Sequence, residues 1–396
     1  MTNQVRLGDI FEFKNGRAFK KTEWSTSGLP IIRIQNLNKA HAPYNYYRGD
    51  YDKRIEVNNG DLLFSWSGTV GSSFGPHIWS GGVGVLNQHI FRVSLKDGIE
   101  KRYAYYALLD ITSEIEKSVS GAVGIVHVTQ SNLKNFKIPV PSASEQKRIV
   151  AILDEAFDGI DAAIANTEKN LANARELFES YLNGILDKCD QEHPKKRLSD
   201  ICQFRSGGTP SKKKAEYWDG NIPWVSGRDM KTAYMYDSQL HISESAISES
   251  VTRLAPAGAL LVLVRGMGLA HGAQVTELMV PCAFNQDIKA ILPEPNVVSS
   301  YLFFSLKHKI NASENTLSAA AHGTLKINSE ELKNLLIPLP PLGVQKEIVS
   351  KFIDISESTK RLVAVSKLKI SALLELKQSL LQKAFSGELT SNPGFN

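Results

Sequence analysis

The rhythm of apolar positions along the chain changes twice in each half. Up to Pro141, and again up to Pro340 and Pro341, apolar segments are short and punctuated by Gly, Pro and Asn. Such segments predict strands joined by turns. Helical periodicity intervenes at Arg102–Lys117 and at Ser299–Lys309. Beyond each Ile-Pro-x-Pro element the period becomes helical and stays so. In the first half Ile149, Ile152, Ala156, Ile160, Ala163, Thr167, Leu171, Ala174, Phe178, Tyr181 and Ile185 recur at gaps of three and four. In the second, Ile348, Phe352, Ile355, Leu362, Val365, Ile370, Leu373, Leu376, Leu380 and Ala384 do the same, with a skip near Thr359 and a slip near Leu368. Sustained heptad spacing of this kind predicts a coiled-coil seam. Prolines 139, 141, 338, 340 and 341 mark where the helices begin, and Gly184 and Gly387 lie near their ends.

The two halves repeat each other. "IPVPSASEQKRIV" (Ile138–Val150) returns as "IPLPPLGVQKEIV" (Ile337–Val349), 199 positions later. Other blocks recur in the same order. "RLGDIFEFKNG" (Arg6–Gly16) answers "RLSDICQFRSG" (Arg197–Gly207), and "LPIIRIQNL" (Leu29–Leu37) answers "IPWVSGRDM" (Ile222–Met230). "NNGDLLFSWSG" (Asn58–Gly68) answers "PAGALLVLVRG" (Pro256–Gly266), and "LNQHIFRV" (Leu86–Val93) answers "FNQDIKAI" (Phe284–Ile291). A whole-chain duplication follows. The expected fold is α/β: two globular β-rich domains (1–141 and 189–341), each followed by a long helix (142–188 and 342–388), with a tail at 389–396. A helix of that length runs about 65 Å at ~1.5 Å per residue. Its apolar stripe needs cover, and antiparallel packing of the two helices, with the globular units at opposite ends about a pseudo-twofold axis, is the economical expectation. Pairing with another chain is the alternative.

Composition narrows the class of protein. Cys189, Cys202 and Cys282 show neither CxxC spacing nor an even-numbered framework, which points to a reduced, intracellular setting without a zinc knuckle. No apolar run is long enough for a membrane span, and no signal-like core follows Met1–Arg6, so a soluble cytoplasmic protein without membrane contact is expected. The formal charge is only +5, yet Lys195–Lys231 holds nine basic residues against four acidic ones. That stretch is either a polyanion footprint or a solvated loop. Catalytic signatures are missing: there is no GxxxxGK[ST], HExxH or GxSxG, and "GMGLAHG" (Gly266–Gly272) has the wrong glycine spacing for a dinucleotide. An Asn-Pro-Pro-aromatic motif of amino-methyltransferases is also lacking, and the nine histidines are scattered. No catalytic residue, metal site or cofactor is expected in this chain.

Polar and basic residues instead follow Gly-rich loops at matched places. Arg17, Lys20 and Lys21 follow the first loop and Lys212, Lys213 and Lys214 its counterpart, as phosphate contacts would. Arg33, Gln35 and Asn36, and Arg228 with Asp229, end an apolar strand; Arg, Gln and Asn can make bidentate contacts to base edges. Ordinary strand-end polarity is the alternative for each. The repeated pairs Asn87-Gln88 and Asn285-Gln286 read as structural, bonding the backbone of a turn, ahead of base reading. The loops "SGAVGIVHV" (Ser120–Val128) and "AAAHGTLKI" (Ala319–Ile327), carrying His127, His322 and Lys326, either approach a phosphate backbone or simply turn.

Taken together, the paired domain openings and the two Ile-Pro-x-Pro-to-Gln-Lys linkers resemble the specificity subunit of Type I restriction–modification enzymes, over essentially the whole chain. The linker Leu133–Val150 carries the family signature; its second copy, Leu332–Val349, keeps Gln345 and Ile348 but has Val344 where a Glu is usual. The resemblance implies two target recognition domains gripping a bipartite, asymmetric site in double-stranded DNA. It implies a non-catalytic subunit that recruits two modification subunits, which use S-adenosylmethionine to methylate adenine, and restriction subunits for cleavage. The near-identical junctions, with Gln146 and Lys147 in one and Gln345 and Lys346 in the other, would then be equivalent docking surfaces for two copies of one partner. The competing expectations are a coiled-coil protein scaffold without DNA reading and a self-contained methyltransferase.

Overall fold

The computed structural model describes residues 3–39, 41–69, 73–119, 126–312, 317–319 and 325–391. The chain divides into two compact units, one of residues 1–168 with 366–396 and one of residues 169–365. Each is built in the same way.

In the first unit, strands Phe11–Asn15, Ile90–Leu95, Leu62–Ser65 and Gly75–Ile78 form an antiparallel sheet in that order. A second sheet orders Asn45–Tyr47, Leu29–Ile32, Gly84–Leu86 and Glu56–Val57, with Leu29–Ile32 and Gly84–Leu86 parallel. In the second unit the first sheet is Cys202–Ser206, Ile288–Pro293, Leu260–Leu263, Val275–Leu278 and Tyr234–Met235. Its companion runs Leu240–Ile242, Ile222–Val225, Cys282–Phe284 and Leu254–Ala255, again with one parallel pair. The matched strands Leu62–Ser65 and Leu260–Leu263 are buried at every position. Apart from Ser65 they are apolar runs, because both faces are covered. In the first unit the predicted helix over Arg102–Lys117 breaks at Ile111 into Lys101–Asp110 and Thr112–Val119; in the second, Ser299–Ala312 is continuous.

The long helices run Ala143–Glu192 and Leu342–Ser386. The first therefore passes through residue 188 and continues to Glu192, before Lys195–Arg197 pairs with Leu336–Pro338. Each helix crosses from one unit into the other. Inside the first unit the start of the first helix meets the end of the second: Lys377 Nζ lies 2.8 Å from both Asp161 oxygens, and Arg148 Nη1 donates to Thr390 O at 3.4 Å. Rising numbers on one helix meet falling numbers on the other, so this segment is antiparallel. Inside the second unit Leu186 and Cys189 share a cluster with Ile348 and Phe352.

The buried stripe differs from the predicted seam. On the first helix the buried apolar positions are Ile149, Leu153, Phe157, Ile160, Leu186 and Cys189, joined by Gln146 and Thr167, and one edge of this stripe faces the globular part rather than the other helix. Leu153 and Phe157 pack with Tyr103 and Tyr106 on Lys101–Asp110, and Arg102 Nε pairs with Asp154 at 2.8 Å. On the second helix Leu362, Val365 and Leu376 are exposed, while Thr359 and Ser366 occupy inward positions. Apolar spacing alone does not mark these two positions on the second helix. Thr359 Oγ1 satisfies itself on Ile355 O at 2.9 Å and Thr167 Oγ1 on Ala163 O at 2.7 Å.

The hinge between each lobe and its helix is held by one amide. Gln146 Oε1 accepts from Glu100 N at 2.8 Å, and its Nε2 donates to Gly98 O and Pro141 O, both at 3.0 Å. Gln345 repeats this: Oε1 accepts from Val298 N at 2.8 Å, and Nε2 donates to Asn296 O at 3.1 Å and Pro340 O at 2.8 Å. A buried tyrosine completes each hinge, Tyr103 Oη donating to Pro139 O at 2.7 Å and Tyr301 Oη to Pro338 O at 2.8 Å. The proline run has few N–H groups of its own, so its carbonyls depend on side-chain donors. Both glutamines are buried, which corrects their expected role as docking surface: their side chains are spent inside the hinge, and only Lys147 and Lys346 beside them are exposed.

Replacing a glutamine by leucine removes three hydrogen bonds and strands buried backbone groups, at a cost of roughly 2–4 kcal/mol. Gln146→Leu should speed hydrogen exchange at the Glu100 amide at least tenfold, and Gln345→Leu should do so at Val298. Unchanged protection at those amides would show that the clamp carries no weight.

Candidate nucleic-acid interface

Five loops converge on one rim of each unit, and the same backbone contacts gather them. In the first unit Arg17 N donates to Leu86 O at 2.8 Å, Asn87 N to Ile32 O at 3.0 Å, Trp66 N to His89 O at 3.2 Å and Val128 N to Trp66 O at 3.0 Å. In the second, Gly208 N donates to Phe284 O at 2.9 Å, Asn285 N to Val225 O at 3.0 Å, Val264 N to Asp287 O at 2.8 Å and Ile327 N to Val264 O at 2.9 Å. The approach is so close that a side chain is excluded. A Cβ on Gly16 would lie 2.1 Å from Asn87 O, and one on Gly207 2.3 Å from Asn285 O. Those two glycines are conserved between the halves of the chain for a steric reason.

The Asn-Gln pairs sit at the centre of the rim. Asn285 Oδ1 accepts from Asp287 N at 3.1 Å, the turn-closing role expected of it, and Gln286 Oε1 accepts from Thr209 Oγ1 at 2.7 Å. In the first unit the Asn87 backbone does the joining. The Gln88 amide nitrogen lies 3.2 Å from His89 Nε2, while Gln88 Oε1 and His89 Nδ1 are buried without a hydrogen-bond partner among the described residues. Burial, with His127 and Arg33 close by, holds His89 below the ordinary imidazole value, so the ring is neutral at pH 7. Trp66 covers this site, its Nε1 donating to Gln88 O at 3.0 Å and its ring 5.1 Å from that of His89 and 6.2 Å from that of His127.

The predicted contact residues divide by what they touch. Arg17 is committed internally: it pairs with Glu23, donates to Tyr47 Oη at 3.1 Å and lies 4.7 Å from the centroid of the Phe19 ring. Lys20 and Lys21 are exposed on the short turn that follows. Arg33 covers the Trp24 ring at 5.5 Å. Asn36 is buried, accepting from Arg33 N at 3.0 Å and donating to Ala42 O at 3.3 Å, so it is a loop cap and not an available base reader. Asp229 is its counterpart, with Oδ2 accepting from Ser226 N at 2.9 Å and Oδ1 from Gln239 N at 3.2 Å. The residue just before each cap, Gln35 in one unit and Arg228 in the other, is exposed. Gln35 donates to Pro43 O at 3.2 Å, holding its loop at the rim.

Lys212 and Lys213 are exposed on a loop pinned by two indoles, Trp218 Nε1 on Ser211 O at 3.2 Å and Trp224 Nε1 on Gly208 O at 3.1 Å. Lys214 turns aside to Tyr217 Oη at 2.8 Å and Glu249 at 3.6 Å. Lys326 is exposed and paired across strands with Arg265, a residue the sequence reading passed over. His322 lies outside the described residues. Among the described residues no group of His, Cys, Asp and Glu is arranged to hold a metal ion, and no helix is long and apolar enough to cross a membrane.

The model of the Type I restriction modification DNA specificity domain matches this chain twice, over residues 2–173 and 191–370. The chain belongs to this family. Its two specificity domains coincide with the two sets of rim loops. The chain is 30% identical over 268 residues to the specificity subunit of the Type I restriction enzyme EcoR124I/EcoR124II of Escherichia coli, a match spanning 65% of this chain and 64% of that subunit. It is 23% identical to the EcoBI specificity subunit of Escherichia coli over 98% of this chain and 86% of the relative. In fold, this specificity-family chain resembles a chain from a structure of a type I R-M system (TM-score 0.73, 18% identity, 98% of both chains). It also resembles the HsdS subunit of Thermoanaerobacter tengcongensis (TM-score 0.55, 19% identity, 98% of this chain and 97% of that one).

The steric account of the rim is directly testable. Gly16→Ala should lower the stability of the first unit by about 1–3 kcal/mol, the overpacking range, because two backbones must separate. Gly159→Ala, on an open helix face with nothing within 4 Å of the new Cβ, should be neutral or stabilising by up to ~1 kcal/mol. Equal melting behaviour of the two variants would contradict the close approach.

Proposed function

We propose that this chain is the DNA-specificity subunit of a Type I restriction–modification complex, with each rim reading one half of a bipartite site in double-stranded DNA. The observation that carries this is the pairing of a repeated frame with unrepeated side chains. The backbone contacts that gather the five loops recur, whereas the exposed residues differ: Gln35 against Arg228, and His127 against Lys326, with a buried Ser67 where the second unit exposes Arg265. A duplicated frame presenting two different chemistries is what two unlike half-sites require. Candidate base readers are Arg33, Gln35 and Arg228, whose planar groups suit bidentate contacts in the major groove. Lys20, Lys21, Lys212 and Lys213 are the phosphate contacts, since a mobile ammonium adds affinity without sequence information. A protein scaffold would account for the helices and leave both rims unexplained.

In this reading the chain performs no bond-making step. Adenine methylation belongs to two modification subunits that bind S-adenosylmethionine, and cleavage to restriction subunits. The modification subunits dock on the exposed faces beside the twin hinges, where Lys147 and Lys346 emerge one residue beyond the buried glutamines. The two long helices link the recognition units, so their length sets the unspecified spacer between half-sites.

The phosphate assignment is tested on the complex with modification subunits. Lys212→Ala combined with Lys213→Ala should weaken binding to specific and non-specific duplexes by similar factors. It should also flatten the plot of log affinity against log salt by about 2, close to one per lost phosphate contact. An unchanged salt slope, or a loss confined to one sequence, would contradict it.

A further inference from the structure

One element of the second rim is not explained by the assignments above. Strand Leu260–Leu263 leaves the core at Val264, and Arg265 forms an isolated antiparallel bridge with Lys326. The flanking bonds, Gly266 N to Leu325 O at 3.1 Å and Ile327 N to Val264 O at 2.9 Å, make Arg265 and Lys326 a non-hydrogen-bonded pair. That is the arrangement in which facing side chains stand closest. Both side chains are exposed, and Arg265 has no carboxylate partner among the described residues.

The next exposed residue is apolar. Met267 is 70% exposed at the start of the short turn Met267–His271. Its loop is built rigidly from beneath. Gly266 (φ 142°) and Gly272 (φ 95°) bound it in conformations that other residues resist, and Leu269 anchors it in the core. Gln274 Nε2 donates to Gly268 O and Gly272 O, both at 3.4 Å, and Asn311 Oδ1 accepts from Ala273 N at 2.7 Å. The braced loop holds a thioether and the Arg265 guanidinium side by side in water, a combination that an anionic, partly apolar surface complements. The major groove of DNA, with phosphates at its walls, guanine acceptors on its floor and thymine methyls beside them, has that chemistry. The matched position in the first unit carries a buried Ser67 opposite His127, with Trp66 alongside.

We propose that Arg265 is a base-reading residue of the second unit, its guanidinium taking the acceptor edge of a guanine while Met267 makes the adjoining apolar contact in the groove. This rests on the DNA-specificity reading given above. Lysine keeps the charge of arginine but not its planar fork, so Arg265→Lys separates reading from attraction. The wild-type chain, R265K, R265A and M267A are each assembled with modification subunits; the methylated motif is determined by sequencing, and affinity by anisotropy on duplexes carrying it.

R265K should relax the motif at one base pair in one half, leave the other half intact, and weaken the cognate duplex about 5- to 150-fold, the range of one bidentate contact. M267A should lower affinity for that same half only. A motif unchanged in R265K and R265A with affinity within twofold overturns the inference. So does a uniform loss on all duplexes in R265A, which would mark a phosphate contact. A wild-type complex without any motif overturns the specificity reading and this inference with it. Melting temperatures close to wild type are expected throughout, because both side chains are exposed.

Discussion

Two buried amides decide how each lobe meets its helix. Gln146 and Gln345 each bond the start of a lobe helix on one side and the proline run on the other, accepting one hydrogen bond and donating two. A proline-rich hinge would otherwise leave its carbonyls to water and its angle to chance. With the amide in place, the carbonyls are satisfied, Tyr103 and Tyr301 close the hinge from the lobe side, and the first turns of both long helices are fixed. The recognition rims are displayed from lobes held in this way, so the clamp conditions whatever the rims contact.

The rims show how a duplicated frame allows divergence. Backbone-to-backbone contacts around Gly16 and Gly207 gather the loops without using any exposed side chain. Exposed positions were therefore free to change while the frame was not. At the matched strand pair the first rim carries Trp66 and His127, and the second Arg265 and Lys326. Such a division suits a protein that must keep one partner geometry while reading two unlike sequences.

Much of this was legible in the sequence because repetition exposes what the backbone requires. The twin Ile-Pro-x-Pro stretches located both hinges, and the matched glycines located both rims. Where the structure departs from the sequence expectation the cause is common: a polar residue is buried and bonded inside the fold. Gln146, Ile149 and Leu153, like Gln345, Ile348 and Phe352, are spaced by three and four, so the heptad itself placed each glutamine on the buried stripe. Thr359 and Ser366 were missed on the second helix for the same reason. Asn36 aligns with Asp229, a match of two short acceptors that signals a cap before it signals a base contact. Arg265 carried no local signal, because its pairing with Lys326 is made between segments far apart in sequence.

The central claim is that two rims on one chain read two half-sites. Sequencing methylated adenines in cells that express the modification subunit, with and without this chain, tests it most directly. The account predicts a motif of two unlike parts separated by a fixed unspecified gap, present only when this chain is expressed. A motif that persists without the chain, or one continuous motif without a gap, would contradict it.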